Sequence, residues 1–217
     1  PYVSAFKPQA AHFAAVGAED QLAKLIGYIQ THHRDIPVIL DAKRGDVGST
    51  AALYAKEAFE RYGADAVTVN PYLGHDSLAP YFQYSDRGVI VLCRTSNPGS
   101  DWIQGVRVGD EPLYLTVAKQ IGEWDLNDQC MLVTGATYPE ELGEVRGIVG
   151  DMPLLVPGGG AQGGDVEAVL KAGVDSGGQG LSISSSRGII YAGSGLDFAE
   201  KAGQAAMQLR DEINRYR

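Results

Sequence analysis

Pro37-Val-Ile-Leu-Asp-Ala-Lys-Arg-Gly-Asp-Val-Gly-Ser-Thr50 joins a short apolar run directly to a cluster of charges. Val38, Ile39 and Leu40 suit a parallel strand buried on both faces. Asp41, Lys43 and Asp46, which no apolar core accepts unpaired, follow at once. Side chains two residues apart on an extended chain share a side, so Asp41 and Lys43 are expected to point the same way at the strand's C-terminal end. Gly45 is expected to let the chain turn. Two carboxylates bracketing one lysine, D-x-K-x-x-D, would hold the ammonium charged and in place, able to donate a proton or stabilise an anion. The plain alternative is a solvated strand-end salt bridge of little energetic worth.

On either side of this stretch, strand and helix patterns alternate. Strands are expected at Tyr2 to Phe6, Ala66 to Val69, Gly88 to Cys93, Cys130 to Val133, Leu154 to Val156 and Leu181 to Ile183, besides the one ending at Leu40. Helices are expected at Ala18 to Arg34, Ser49 to Tyr62 with Gly63 as C-cap, Asp76 to Tyr84, Glu111 to Glu123, Pro139 to Val149, Asp165 to Lys171 and Leu196 to Tyr216. The segment Ser100 to Asp110 reads as a loop long enough to be a lid or a binding loop. Such alternation, at about 25 to 35 residues per unit, is the pattern of a parallel α/β fold. Seven strands fall one short of the eight of a closed (β/α)8 TIM barrel, and the chain opens on a strand, so the first β/α unit is expected to be missing before Pro1. The alternative is an open doubly wound sheet.

The 217 residues, 44% hydrophobic and 21% charged, can bury one sizeable core, and residues 1–217 read as a single domain. No run reaches the roughly 18 apolar residues of a membrane helix, and no basic region followed by an apolar signal segment opens the chain, so neither membrane nor export is expected and the location read is cytoplasmic. A formal net charge of −9 argues against nucleic acid as a partner, because phosphate-backbone binding wants a basic face. It leaves room for an anionic small molecule held by a few oriented cations and N–H groups. Cys93 and Cys130 lie in expected strands without metal or redox spacing and read as core residues. His12, His32, His33 and His75 show no metal-ligand pattern, and Trp102 and Trp124 are explained by packing.

Two loops point to phosphate. Pro157-Gly-Gly-Gly-Ala-Gln-Gly-Gly164 has little side chain to pack and several N–H groups free to face an anion, although glycine loops are common in plain turns. One strand later, Arg187 beside Gly188 offers the forked cation that phosphate favours. Barrels place a phosphate site after their last two strands, which favours the barrel over the open sheet. The G-x-G-x-x-G within this loop lacks the acidic ribose partner on a following strand, so a dinucleotide is rejected.

F-K-P-Q, D-A-K-R-G-D-V-G-S-T, V-T-V-N-P-Y-L-G, C-R-T-S-N-P-G, P-G-G-G-A-Q-G-G and S-S-R-G-I occur in this order. Together they resemble the orotidine 5′-phosphate decarboxylase family, in its type 2 (bacterial) branch. The resemblance implies a (β/α)8 barrel and a homodimer with shared active sites, using neither metal nor organic cofactor. It implies that Lys43 protonates the pyrimidine carbon that loses CO2, that Asp41 stands beside the departing carboxylate, and that Lys7 joins the charge network and the ribose. Asp46 and Thr50 would reach the partner subunit's site, Ser96 would bind the pyrimidine, and Gln162 and Arg187, with Gly188, the phosphate. Asn70 is a further ligand candidate. The chain departs from the family in lacking a first strand ending in a ribose-binding Asp, and in reading P-G-G-G where P-G-I-G or P-G-V-G is usual. Two other readings stand beside this one: a Mg2+-dependent sugar-phosphate lyase using D-x-K-x-x-D, and a non-catalytic barrel that senses a nucleotide phosphate.

Overall fold

The structure is a computed structural model that describes residues 1–158 and 165–217. Two compact units are present. The first comprises Ser4–Leu92 with Glu123–Met131, and the second Pro1–Val3, Cys93–Gly122 and Leu132–Arg217.

In the first unit, α1 (Ala10–Ala14) and α2 (Glu19–His32) precede β1 (Ile39–Arg44), α3 (Gly48–Lys56), β2 (Ala66–Val69), α4 (His75–Phe82) and most of β3 (Gly88–Arg94). β1, β2 and β3 are parallel neighbours, with Ile39 opposite Ala66 and Val69 opposite Val91. Leu40, Val67, Val69, Val89, Ile90 and Val91 are all buried, as the continuous apolar runs require of strands covered on both faces. Leu22, Ile26 and Ile29, spaced four and three apart, bury one face of α2, each side chain contributing about 1.5–3 kcal/mol.

Two expectations are corrected here. Tyr2 to Phe6 is not a strand: only Phe6 and Gln9 make isolated parallel bridges, to Val38 and Asp41. Pro8 between them has no N–H to give, so a regular ladder cannot continue. The helix expected to Tyr62 changes at Lys56 into a wider turn over Glu57–Arg61, where the Tyr62 N–H reaches the Glu57 carbonyl. Ala51, Ala55, Ala58 and Phe59 are buried, whereas Leu53, two residues past Ala51 and so on another face, is 65% exposed. Gly63, at φ 66°, ends this segment in the left-handed conformation that suits glycine.

The second unit continues with α5 (Asp101–Gln104), a short antiparallel hairpin of β4 (Arg107–Val108) and β5 (Glu111–Pro112), most of α6 (Leu113–Trp124) and most of β6 (Cys130–Thr134). α5 and β4 fall within the segment read as a loop from Ser100 to Asp110, which has local structure of its own. Then come α7 (Pro139–Val149), β7 (Leu154–Pro157), α8 (Val166–Gly173), β8 (Leu181–Ser184), α9 (Arg187–Ile190) and α10 (Phe198–Tyr216). β6, β7 and β8 are parallel, with Leu132 opposite Leu154 and Pro157 opposite Ser184. α7 packs on α8 so closely that a Cβ at Gly173 would lie 2.8 Å from Leu142. Arg146, buried on α7, donates to the carbonyls of Gly173, Gly150, Met152 and Gly180, fixing the turns that flank β7 and β8. Cys93 and Cys130 are buried free thiols, as expected, and burial pushes both up to about 12. No helix among the described residues is long and apolar enough to cross a membrane.

Candidate active site

Backbone pairing brings the first cation to the charged strand end. The Asp41 N–H donates to the Pro8 carbonyl (2.9 Å) and the Ile39 N–H to the Phe6 carbonyl (2.8 Å), laying Phe6–Gln9 along β1. Lys7 lies within that segment. Its Nζ stands 2.7 Å from Asp41 Oδ2, while Lys43 Nζ stands 2.5 Å from Oδ1 of the same carboxylate. The expectation that Asp41 and Lys43 share a side is met.

One carboxylate therefore faces two ammoniums. Asp41 is 8% exposed and Lys7 17%, but Lys43 is 44% exposed, so its ammonium is held by the buried acid yet open to a ligand. Burial alone would raise the Asp41 pKa. The Lys7 and Lys43 ammoniums outweigh that effect and hold the carboxyl below the ordinary aspartate value of 3.8. This three-group array is built on a buried carboxylate and so differs from a solvated salt bridge; leaving such a buried charge unpaired costs about 3–5 kcal/mol.

The backbone here is strained. Lys43 has φ 48°, in the left-handed region, and the register of β1 on β2 shifts between Leu40 and Arg44. A side chain in that region costs roughly 1–3 kcal/mol and persists only where its surroundings enforce it. Gly45, expected to supply the turn, instead allows a close approach: a Cβ there would lie 3.2 Å from Asn70 Cβ. At the bulge stands Thr68 on β2, 1% exposed, whose Oγ1 accepts the Ala42 and Lys43 N–H groups, each at 2.9 Å. Thr68 was not among the residues singled out from sequence. The available signal was a hydroxyl in the middle of the apolar run Ala66-Val-Thr-Val69.

The remaining candidates of this unit sit close in sequence but make separate contacts. The Asp46 carboxylate accepts its neighbour Val47's N–H (2.8 Å), so among the described residues of one chain Asp41 is the carboxylate that holds the lysine. Thr50 lies exposed on the first turn of α3 and lines an open groove with Leu53, Tyr54, Glu57 and Arg61; Lys7, Asp41 and Lys43 do not line it. Asn70 Oδ1 accepts the Tyr72 N–H (3.0 Å), capping a short turn at Pro71–Leu73. Arg44 anchors the end of β1 to the helical segment through Glu57 (2.9 Å) and lies 4.5 Å from the Tyr54 ring centre.

The other unit holds Ser96, Arg187 and Gly188. Ser96 follows β3 and lies so tightly on Gly135 that a Cβ there would come within 2.8 Å of it. Its loop is tied down by Arg94, 2% exposed, which donates to Glu141 (2.5 Å), Ser100 (2.8 Å) and Asp101 (3.1 Å) and lies over the Tyr138 ring at 4.6 Å. The sequence signal for Arg94 is an Arg that directly closes the apolar strand in C-R-T-S-N-P-G. Arg187 opens α9, exposed and without an ion-pair partner among the described residues, and Gly188 follows it. Gln162 lies outside the described residues. Among those residues, no three His, Cys, Asp or Glu side chains group as metal ligands.

Residues 1–202 match the family model of orotidine 5′-phosphate decarboxylase / HUMPS. The chain belongs to the orotidine 5′-phosphate decarboxylase / HUMPS family. Orotidine 5′-phosphate decarboxylase of Azoarcus sp. is 60% identical over 216 residues, 99% of this chain and 80% of that protein. The Bordetella pertussis protein of the same name is 57% identical over 220 residues, 100% of this chain and 81% of that one. Among solved structures, the OMP decarboxylase of Leishmania donovani superposes with a TM-score of 0.89 at 42% identity, covering 99% of this chain and 82% of that one. The family's α/β barrel type is therefore the fold of this chain, and the open doubly wound alternative is set aside.

Proposed function

We propose that this chain decarboxylates orotidine 5′-phosphate to uridine 5′-phosphate, a step of pyrimidine biosynthesis, with Lys43 delivering the proton. The observation that carries the mechanism is the Lys7–Asp41–Lys43 array, in which a buried carboxylate fixes an accessible ammonium whose backbone is held in a strained conformation. The decarboxylase activity itself is the one borne by relatives about 60% identical over nearly the whole chain.

In this reading the bond from the ring carbon to the carboxylate breaks, CO2 leaves, and the electron pair stays on the carbon. The Lys43 ammonium stands where that charge develops, stabilises it and transfers a proton to it. Because the group is preorganised by Asp41, it needs no rearrangement at the moment of reaction. Lys43 is then reprotonated from solvent, which its exposure permits. Asp41 stands beside the departing carboxylate and Lys7 keeps the network charged. Ser96 hydrogen-bonds the pyrimidine, and Asn70 is a further ligand. Gln162, Arg187 and Gly188 take the phosphate, whose binding energy, remote from the chemistry, can drive closure over the ring. Asp46 and Thr50, not engaged with the lysine of their own chain, serve the partner's site in a homodimer. On the motif D-A-K-R-G-D-V-G-S-T we assign the chain to the type 2 branch, acting in the cytoplasm without metal or organic cofactor.

Turnover of orotidine 5′-phosphate, followed by loss of absorbance and release of CO2 with and without a strong chelator, tests the reading. Full turnover in chelator is expected. No turnover, or turnover lost with the metal, overturns it in favour of another activity of the barrel.

A further inference from the structure

Thr68 makes three hydrogen bonds with one buried oxygen. Its Oγ1 accepts the N–H groups of Ala42 and Lys43, both at 2.9 Å, and stands 3.0 Å from Asp41 Oδ1. A hydroxyl has two lone pairs and one proton. With both N–H groups pointing at the oxygen, its proton is left for the carboxylate. The same carboxylate oxygen, Oδ1, receives the Lys43 ammonium at 2.5 Å. One side chain from β2 thus meets the backbone and, through Asp41, the charged end of the same lysine. We propose that Thr68 is a positioning residue of this site, its hydroxyl tying the bulged backbone at Ala42–Lys43 to the Asp41 carboxylate and so setting where the Lys43 ammonium stands.

Two features separate this from ordinary core packing. β1 and β2 pair regularly at Ile39–Ala66 and Leu40–Val67, then lose register up to Arg44–Val69, and Thr68 lies in that gap. In a regular parallel strand successive N–H groups point to opposite sides: Ile39 and Asp41 donate to the Phe6–Gln9 segment, so of Ala42 and Lys43 only Ala42 would face β2. Here the hydroxyl takes both, which leaves Lys43 at φ 48°. Secondly, the charged groups facing Asp41 are Lys7 from the segment before α1 and Lys43 from its own strand, while β2 contributes the uncharged Thr68 hydroxyl. Without that hydroxyl, Lys7 still holds Oδ2, but Oδ1 loses the contact that ties it to the bulged backbone and keeps only the Lys43 ammonium.

The proposal rests on the decarboxylase reading for its kinetic test, so a second readout stands apart from activity. In Thr68→Val, kcat for orotidine 5′-phosphate is expected to fall about 10- to 100-fold with KM within about threefold, because orientation of the ammonium is lost and phosphate anchorage is not. Thr68→Ser, which keeps the hydroxyl and deletes only the methyl, is expected to restore kcat. Wild-type kcat in a folded Thr68→Val, a loss confined to KM, or equal losses in Val and Ser variants would overturn the proposal. Independently of turnover, the Asp41 carboxyl carbon followed by NMR is expected to titrate at higher pH in Thr68→Val and to return in Thr68→Ser; an unmoved titration also overturns it. If the wild type does not turn over orotidine 5′-phosphate, the functional reading fails and the Asp41 titration alone decides on Thr68. Should Thr68→Val fail to fold, Thr68→Ala is measured in the same way. If neither folds while Thr68→Ser does, the hydroxyl serves the fold rather than the site, and the proposal falls.

Discussion

Asp41 and Lys43, two residues apart on one strand, meet at 2.5 Å across a backbone that turns left-handed at the lysine. A regular strand would place both side chains on one side but with their Cα atoms about 6.6 Å apart. The bulge, and Lys7 on the far oxygen of Asp41, convert proximity into a fixed charge array.

Lys43→Ala is expected to lower kcat by at least about 100-fold, in line with the loss of a positioned proton donor, while uridine 5′-phosphate still binds. Stopped-flow turnover and calorimetric binding check both parts. An unchanged kcat rules out the proton role.

The charge array also predicts a pH dependence of stability. Asp41 has a folded pKa below its unfolded value of 3.8, so its contribution is complete above that value and is lost as pH falls through the folded pKa. Denaturant unfolding of wild type and Asp41→Asn should differ by about 3 kcal/mol at pH 6, and the gap should narrow as pH drops below about 4. A gap that stays constant down to pH 3 would show that the ammoniums do not stabilise the carboxylate.

Arg94 supports the loop of Ser96 through Glu141, Ser100 and Asp101. Lysine cannot reproduce a forked donor stacked on Tyr138, so Arg94→Lys is expected to destabilise by about 2–3 kcal/mol and to raise KM. Thermal unfolding and steady-state kinetics measure the two effects. A Tm within one degree of wild type would mean that the network carries no stability.

Arg187→Ala tests phosphate recognition. The exposed guanidinium has no ion-pair partner among the described residues, so its removal should leave the fold intact and weaken phosphorylated substrate by about 2 kcal/mol, roughly 30-fold in kcat/KM. The unphosphorylated nucleoside should be unaffected. Equal losses on both would mark Arg187 as structural.

A shared site can be read from mixing. Lys43→Ala and Asp46→Ala proteins, each nearly inactive, are exchanged into mixed dimers. Random pairing makes about half the dimers hybrid, each with one intact and one doubly defective site, so roughly a quarter of full activity should return. No recovery, with exchange confirmed by native mass measurement, would show that Asp46 serves its own chain.

The alternation of apolar runs and amphipathic stretches was enough to give the α/β class, the order of elements and the charged strand end, because hydrophobic periodicity is written residue by residue. Asp41 and Lys43 could be paired from spacing alone, since side chains two apart on an extended chain share a side. Lys7, by contrast, lies 34 residues from Asp41, and its contact depends on how Phe6–Gln9 pairs with β1. Within D-x-K-x-x-D, spacing could not show that Asp46 turns to its own backbone while Asp41 alone holds the lysine. Nor could it find Thr68: whether a hydroxyl inside an apolar strand faces a neighbour's bulge or only packs is set by interstrand register. Register is a property of two segments brought together, and neither segment encodes it by itself.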